Sequence, residues 1–210
     1  LEHIDSEGWF SAVYLNLRMF SEHGVLPDPN SDISSIFTAA MIDPLPEKQR
    51  EFLIVLGLAD EFSAEMAKFI TENEDTKQLL SAMTRQNAFI SRLADGGTYR
   101  FHHMMKECAE QAFAAMDKEK QTVYLERYGK WYEEHRQYLH ALASYRKSGN
   151  FNGALRVIQK DAGILLASLK AEDVLNFLSK CPKEDLEAYP LSVLVLMRCM
   201  FNWRKIPEML

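Results

Sequence analysis

The sequence predicts a mainly α-helical fold that contains one β-hairpin. Apolar residues recur at helical spacing along almost the whole chain of 210 residues. The period changes only around Asp95-Gly96-Gly97, a tight-turn signal with strand-like segments on both sides. Hydrophobic residues make up 47% of the chain and charged residues 26%, which is typical of a globular protein and excludes global disorder.

Two helices are predicted before the first strong break in the pattern. The first spans Glu7–Glu22 and ends before Gly24, and Pro27 prevents its continuation. The second follows the capping residues Asn30-Ser31-Asp32 and extends to Met41.

Three further helices precede the hairpin. Pro46-Glu47 opens one of them with an acid in its first turn, and Ser63 caps the next. The third covers Asp75–Gln86. Several short helices closed by one hairpin form the outline of a winged-helix domain.

After the hairpin every predicted element is a helix. These helices span His103–Met116, Lys118–His135, Tyr138–Lys147, Phe151–Ile158, Gly163–Leu169, Ala171–Ser179 and Leu191–Trp203. Small residues such as Ala141 and Ala154 at contact positions predict antiparallel helix pairs of the tetratricopeptide type, stacked into an α-superhelix. The tetratricopeptide signature is only partly present, and no clean repeat of about 34 residues is found.

Charge and cysteine content exclude several classes of protein. The 24 basic and 30 acidic residues give a net charge of −6, so we expect no direct contact with nucleic acid. Cys108, Cys181 and Cys199 are widely spaced and predict neither a disulfide framework nor a zinc site, which indicates reduced thiols in a cytoplasmic protein. No apolar run is long enough to cross a bilayer, so no membrane association is expected.

The ends of the sequence suggest an internal piece of a longer protein. It has no initiator Met, and it stops at Leu210 without a polar tail. Under this interpretation the last helix presents an apolar face that a following repeat covers, and the expected members of that face are Leu191, Val195, Leu196, Met200 and Trp203.

Three motifs resemble one family of regulators when they are taken in order. They are Glu7-Gly8-Trp9, Leu45-Pro46-Glu47 with the apolar run to Leu56, and Tyr99-Arg100-Phe101-His102-His103. In this order and spacing the chain resembles the middle of the large MalT-like, LuxR-family transcriptional activators, which are signal-transduction ATPases with numerous domains (STAND ATPases). The resemblance covers nearly the whole chain.

The resemblance implies a division into domains. Residues 1–25 would be the last helix of an ATPase-associated helical region, 26–115 the winged-helix domain, and 116–210 the start of a tetratricopeptide-like sensor domain. Regulators of this family carry a nucleotide-binding domain upstream and a DNA-reading helix-turn-helix downstream. The present chain contains no G-x-x-x-x-G-K-[ST] phosphate loop, so we expect no enzyme activity and no cofactor in this segment alone.

The resemblance also implies cofactors and partners for the intact protein. ATP and ADP would bind there, and the intact protein would act as a slow regulatory ATPase. The winged helix would dock on the protein's own upstream nucleotide-binding domain. The helical repeats would receive a small-molecule inducer or a protein, and the intact protein would self-associate when active.

His102 is the only candidate site residue that the sequence singles out. The stretch that begins His102-His103-Met104 resembles the Met-His-Asp motif of related regulatory ATPases, whose histidine contacts the β-phosphate of ADP in the resting state. Phe101 replaces the methionine of that motif and His103 replaces the aspartate. An imidazole N–H donates well to a phosphate oxygen, and a helix start adds N–H donors. The alternative is a histidine that only caps the junction between strand and helix.

Other clusters carry weaker signals. The aromatic-rich stretch is predicted as interhelix core, with a concave ligand or partner surface as the alternative; it comprises Tyr124, Tyr128, Trp131, Tyr132, Tyr138 and Tyr145. Glu133-Glu134, His135 and His140 match no zinc spacing and are predicted to lie on a solvated helix face.

Charged residues near the hairpin point to no reaction. The carboxylates there have no nucleophile or oxyanion hole beside them, so no catalytic residue is predicted among Asp60, Glu61 and Glu65. Four basic residues place positive charge around the hairpin, suited equally to DNA phosphate, a nucleotide or an acidic domain; they are Arg85, Arg92, Arg100 and Lys106.

The predicted function is an internal regulatory segment of a signal-responsive, nucleotide-switched transcriptional regulator. In it the winged helix holds the ADP-bound resting state and the helical repeats receive the signal. The alternative is a stand-alone helical-repeat adaptor for protein–protein interaction, without a nucleotide switch. Direct DNA binding by the winged helix is the least favoured hypothesis.

Overall fold

A computed structural model describes residues 42–86, 90–162 and 171–202, together with residues 21, 38, 164 and 204. These residues form ten helices and one three-stranded antiparallel sheet, which confirms the mainly α-helical prediction. The chain divides into two compact units, Leu1–Met116 and Asp117–Leu210. The helices predicted at 7–22, 33–41 and 163–169 lie, apart from residues 21, 38 and 164, outside the described residues.

The described part of the first unit from residue 42 onward contains four helices and three strands. In chain order they are α1 (Glu47–Leu56), β1 (Phe62–Ser63), α2 (Ala64–Thr71), α3 (Thr76–Gln86), β2 (Ile90–Arg92), β3 (Thr98–Phe101) and α4 (His103–Ala115). The four helices were all expected from sequence. Ser63 caps α2 as predicted, because its side chain accepts a hydrogen bond of 3.1 Å from the backbone N–H of Met66.

The sheet has one strand more than the sequence predicts. Its order is β1-β3-β2, and both pairings are antiparallel. The predicted hairpin joins β2 to β3 through a turn in which Asp95 accepts hydrogen bonds from the backbone of Gly97 and Thr98, each of 3.0 Å. Gly96 supplies the positive φ of 69° in this turn. The prediction of a hairpin alone was therefore incomplete, because a two-residue strand is too short to show an alternating pattern.

Close packing of α1 on α4 completes the core of the first unit. The last five residues of α1, from Phe52 to Leu56, are all buried. Gly57 follows them, and a Cβ atom at that position would lie 2.2 Å from the Cβ of Ala109 on α4. Glycine is therefore required at this position by the distance between the two segments, since its φ of −62° is open to any residue.

Every secondary-structure element in the described part of the second unit is a helix. Its elements are α5 (Lys118–Glu134), α6 (Tyr138–Ser148), α7 (Phe151–Asp161), α8 (Ala171–Leu178), α9 (Lys183–Ala188) and α10 (Pro190–Asn202). Helix α5 contacts α6, and α6 contacts α7, across connections short enough to make neighbouring helices antiparallel. Helix α9 was not predicted, because six residues show little periodicity.

Helix α10 exposes an apolar face, but its members differ from those expected. Leu196 and Met200 were expected on that face and are instead buried. The exposed apolar residues are Leu194 (61%), Met197 (36%) and Phe201 (64%), together with Leu191 (55%), which was expected there. Val195, also expected there, is partly buried against the core of the second unit. The two buried side chains face inward because α10 packs against α7. Trp203, which was also expected there, lies outside the described residues.

No helix in the described ranges combines the length and the apolar character needed to cross a membrane.

Candidate functional site

His102 lies at the junction between β3 and α4. It is half-buried and forms the N-cap of α4, where its Nδ1 accepts a long hydrogen bond of 3.4 Å from the backbone N–H of Met104. The side chain thus satisfies one of the N–H groups that every helix leaves without a partner in its first turn. This is the capping geometry that the sequence offered as the alternative for this residue.

The capping bond determines which nitrogen of His102 carries the proton. A neutral imidazole has one N–H donor and one acceptor nitrogen. Because Nδ1 accepts from Met104, the proton of the neutral ring belongs on Nε2. His102 is therefore able to donate through Nε2 while it caps the helix through Nδ1. The exposed ring of His103 lies beside it, with 4.2 Å between the two ring centroids.

The positive charge predicted around the hairpin is divided into two groups. Arg100 forms an ion pair with Glu61, and Lys106 forms one with Asp60, so these two cations are neutralised. Arg85 and Arg92 instead donate to backbone carbonyl groups, of Ser81 and Gly96 respectively. Neither of them forms an ion pair with a carboxylate among the described residues.

A buried carboxylate lies at the centre of the second unit. Glu133, only 6% exposed, accepts hydrogen bonds of 2.7 and 2.8 Å from the two sides of the Arg156 guanidinium. It also accepts 2.8 Å hydrogen bonds from Lys160 Nζ and from the Tyr145 hydroxyl. The prediction that Glu133 lies on a solvated helix face was therefore wrong. Glu134, His135 and His140, predicted to share that face, are exposed.

Hydrogen bonding controls the protonation of this cluster. Burial by itself would raise the pKa of Glu133, but the hydrogen bonds from Arg156, Lys160 and Tyr145 outweigh it and lower the pKa to about 2. Burial, together with the hydrogen bond to Glu133, raises the pKa of Tyr145. The carboxylate is thus ionised and the phenol protonated at neutral pH.

Arg156 and Lys160 were not singled out from the sequence. They stand four residues apart on α7 and therefore share one face of the helix, which was the available signal. Nothing local connects that face to Glu133, which precedes Arg156 by 23 residues. The pairing depends on how α7 packs, and helical spacing does not reveal it.

The aromatic stretch belongs mainly to the packing between helices, as predicted. Tyr128 and Tyr145 are each 2% exposed. The ring of Tyr145 packs closely against two glycines, since a Cβ at Gly129 or at Gly153 would come within 2.5 or 2.8 Å of its ring carbons. Three helices approach one another closely around this ring.

Three clefts accompany these residues. One of about 390 Å³ lies beside Glu133, Arg156 and Lys160, and a largely apolar one of about 800 Å³ lies along α9 and α10. The third, of about 430 Å³, lies between α3 and the hairpin.

In the described part of the chain no group of three or more His, Cys, Asp or Glu side chains is arranged to hold a metal ion.

Comparison with known families gives a match for part of the chain. Residues 38–122 match the family of the MalT winged helix domain. The match covers all the helices and strands of the first unit that are described above, and it continues into the start of α5. A comparison with curated proteins found no match.

Proposed function

Because residues 38–122 form a winged-helix domain of the MalT type, we propose that the chain is a regulatory segment of a nucleotide-switched transcriptional regulator. In this proposal the winged helix packs on the protein's own nucleotide-binding domain and holds the ADP-bound resting state. The helical unit that follows receives a small-molecule inducer or a protein partner. The family match is the observation that carries the proposal.

His102 is the residue that we assign to the nucleotide. Its place directly after β3 and at the first turn of α4 puts an imidazole beside the N–H groups of a thirteen-residue helix. Such a helix start favours a phosphate group through its N–H donors and its dipole. With Nδ1 engaged by Met104, Nε2–H is the donor that His102 would offer to the β-phosphate of ADP.

The switch requires that the signal distinguish two states. A ligand that bound the closed and the open form equally would shift nothing, however tightly it bound. The inducer or partner must therefore prefer the open form, in which ATP replaces ADP. Self-association of the open form would then present the DNA-reading domains of the intact regulator.

Three substitutions in the intact regulator separate the two roles of His102. His102→Ala removes both the cap and the imidazole, whereas His102→Ser keeps a good capping group and removes only the imidazole. We expect both variants to bind ADP about tenfold more weakly and to raise basal transcription, because each loses one hydrogen bond to a charged phosphate. His103→Ala is the matched control and should change neither quantity. ADP affinity and reporter transcription without inducer are the two measurements.

Other outcomes exclude the proposed role. If His102→Ala lowers only thermal stability, and His102→Ser restores it with ADP affinity unchanged throughout, the histidine is a helix cap and nothing more. If the protein proves to have no nucleotide-binding domain and its helical unit binds a protein on its own, the chain is the helical-repeat adaptor that the sequence also allows.

A further inference from the structure

The cleft between α3 and the hairpin has an unusual lining for a protein with a net charge of −6. Two guanidinium groups and three hydroxyl groups surround a volume of about 430 Å³, which is within the ~300–1,000 Å³ typical of ligand sites. Its lining residues are Ser81, Thr84, Arg85, Arg92 and Tyr99. Neither the proposed nucleotide contact at His102 nor the family match accounts for these residues.

The register of the sheet explains how two polar side chains come to this cleft. Ile90 pairs with Phe101 and is buried with it, and two steps further along the ladder Arg92 pairs with Tyr99. Side chains two residues apart lie on the same face of a strand. Arg92 and Tyr99 therefore continue the core-facing side of the hairpin beyond the apolar core, where α3 forms the opposite wall.

The cations of this cleft lack the partners that similar residues of the same unit have. Arg100, on the other face of β3, is paired with Glu61, and Lys106 is paired with Asp60. Arg85 and Arg92 donate only to backbone carbonyl groups among the described residues. Asp95 is near enough to interact with Arg92, but its oxygens accept hydrogen bonds from the turn residues that follow it.

The hydroxyl groups add donors between the two cations. Neither Ser81 nor Tyr99 uses its hydroxyl in a hydrogen bond within the described part of the chain. The Thr84 hydroxyl donates a hydrogen bond of 2.7 Å to the carbonyl of Leu80, so it forms part of the wall of the cleft and is not offered to a ligand. Stacking on Phe62, at 5.9 Å between ring centroids, holds the ring of Tyr99 in place.

We propose that this cleft binds the phosphate group of a small molecule of nucleotide size. Guanidinium forks match the several acceptor oxygens of a phosphate, and the two hydroxyls supply further donors. A nucleic acid fits less well, because affinity for a duplex comes mainly from the number of phosphates that Lys and Arg neutralise, and this cleft supplies two cations. His102 is not among the residues that line this cleft, so the proposal does not depend on the function proposed above.

Titration of the 210-residue chain with pyrophosphate and with AMP tests the proposal, using amide chemical shifts as the readout. We expect saturable shifts that cluster at the cleft residues, with sodium chloride at equal ionic strength producing none. The double substitution Arg85→Gln/Arg92→Gln should weaken binding about tenfold or more, since it removes both charged donors. Arg100→Gln is the matched control, as it removes an arginine of the same hairpin that faces away, and binding should be unchanged.

The proposal is overturned if no saturable shift is seen, or if Arg100→Gln weakens binding as much as the double substitution does. Arg85→Gln alone covers the case in which the double variant disturbs the hairpin, because Arg85 is an exposed helical residue outside the sheet. A labelled DNA duplex is titrated in parallel. Binding of the duplex that depends on Arg85 and Arg92, without any binding of pyrophosphate or AMP, would assign the cleft to nucleic acid and reject a small-molecule ligand.

Discussion

Glu133 connects three helices of the second unit through its hydrogen bonds. A carboxylate removed from water is costly unless charged donors surround it, and here Arg156, Lys160 and Tyr145 do so. One carboxylate on α5 thereby connects to side chains of both α6 and α7. The carboxylate and the Tyr145 ring are buried, whereas Arg156 (43% exposed) and Lys160 (48% exposed) reach the carboxylate from the surface.

Replacing Glu133 by Gln should destabilise the second unit by about 2 kcal/mol, because the substitution leaves Arg156 and Lys160 without their counter-charge. Chemical denaturation followed by circular dichroism measures the change. Glu134→Gln, one residue along on the exposed side of the same helix, should stay within about 0.5 kcal/mol. Equal effects of the two substitutions would show that the network adds nothing to stability.

The same carboxylate predicts a pH dependence. Its pKa is about 2 in the folded chain, against 4.5 for an ordinary glutamate. The folded state therefore binds fewer protons than the unfolded state between these values, and the stabilisation is complete above pH 4.5 and lost as the pH falls toward 2. We expect the difference in unfolding free energy between the native chain and Glu133→Gln to shrink over this interval. A difference that stays constant with pH would contradict the assignment.

At the scale of the elements, helix packing in the second unit depends on two glycines. Gly129 on α5 and Gly153 on α7 both approach the Cδ1 and Cε1 atoms of the Tyr145 ring, and each is too close to the ring to accept a Cβ atom. The ring has little room to move, since its hydroxyl donates to Glu133 and its surroundings are buried. The glycines thus set how closely α5 and α7 approach α6.

Gly153→Ala should destabilise the chain by about 1–3 kcal/mol, because the new methyl group would lie 2.8 Å from two carbons of the Tyr145 ring. Helix propensity alone predicts the opposite sign, a gain of about 0.5–1 kcal/mol. The sign of the measured change in unfolding free energy therefore decides between packing and propensity. Gly97→Ala is the control, since nothing lies within 4 Å of a Cβ at that position, and it should be close to neutral.

In the sheet of the first unit, the hairpin could be predicted from the sequence and strand β1 could not. The hairpin was predictable because Asp95, Gly96 and Gly97 encode its turn locally. Strand β1 was not, because its two residues become a strand only by pairing with β3, more than thirty residues later. A strand of two residues is too short to show an alternating pattern, and only its pairing with β3 makes it a strand.

At the scale of the whole molecule, the two units carry different parts of the proposed function. The winged-helix unit contains His102 and the basic cleft between α3 and the hairpin, and the helical unit contains the Glu133 network and an apolar cleft beside α10. Each has its own buried core. The nucleotide contact is thus proposed for the first unit and the binding of the signal for the second. A switch between two states requires that binding of the signal to one unit change the affinity of the other for nucleotide.

The sequence by itself determined what depends on neighbours along the chain. Helix ends, the capping role of Ser63 and the turn at Asp95 follow from hydrogen bonds that reach only a few residues. The family resemblance likewise rested on ordered local motifs, and the match over residues 38–122 supports it.

Only the tertiary structure decided which distant charges meet and which side chains are buried. Glu61 pairs with Arg100 across 39 residues, which neutralises a cation that the sequence assigned to a positive patch around the hairpin. Glu133 pairs with Arg156 across 23 residues and is buried, although the sequence placed it on a solvated helix face. The apolar face of α10 was misassigned for the same reason. Helical spacing shows that a face is apolar, but the position of the neighbouring helix decides which of its residues are covered.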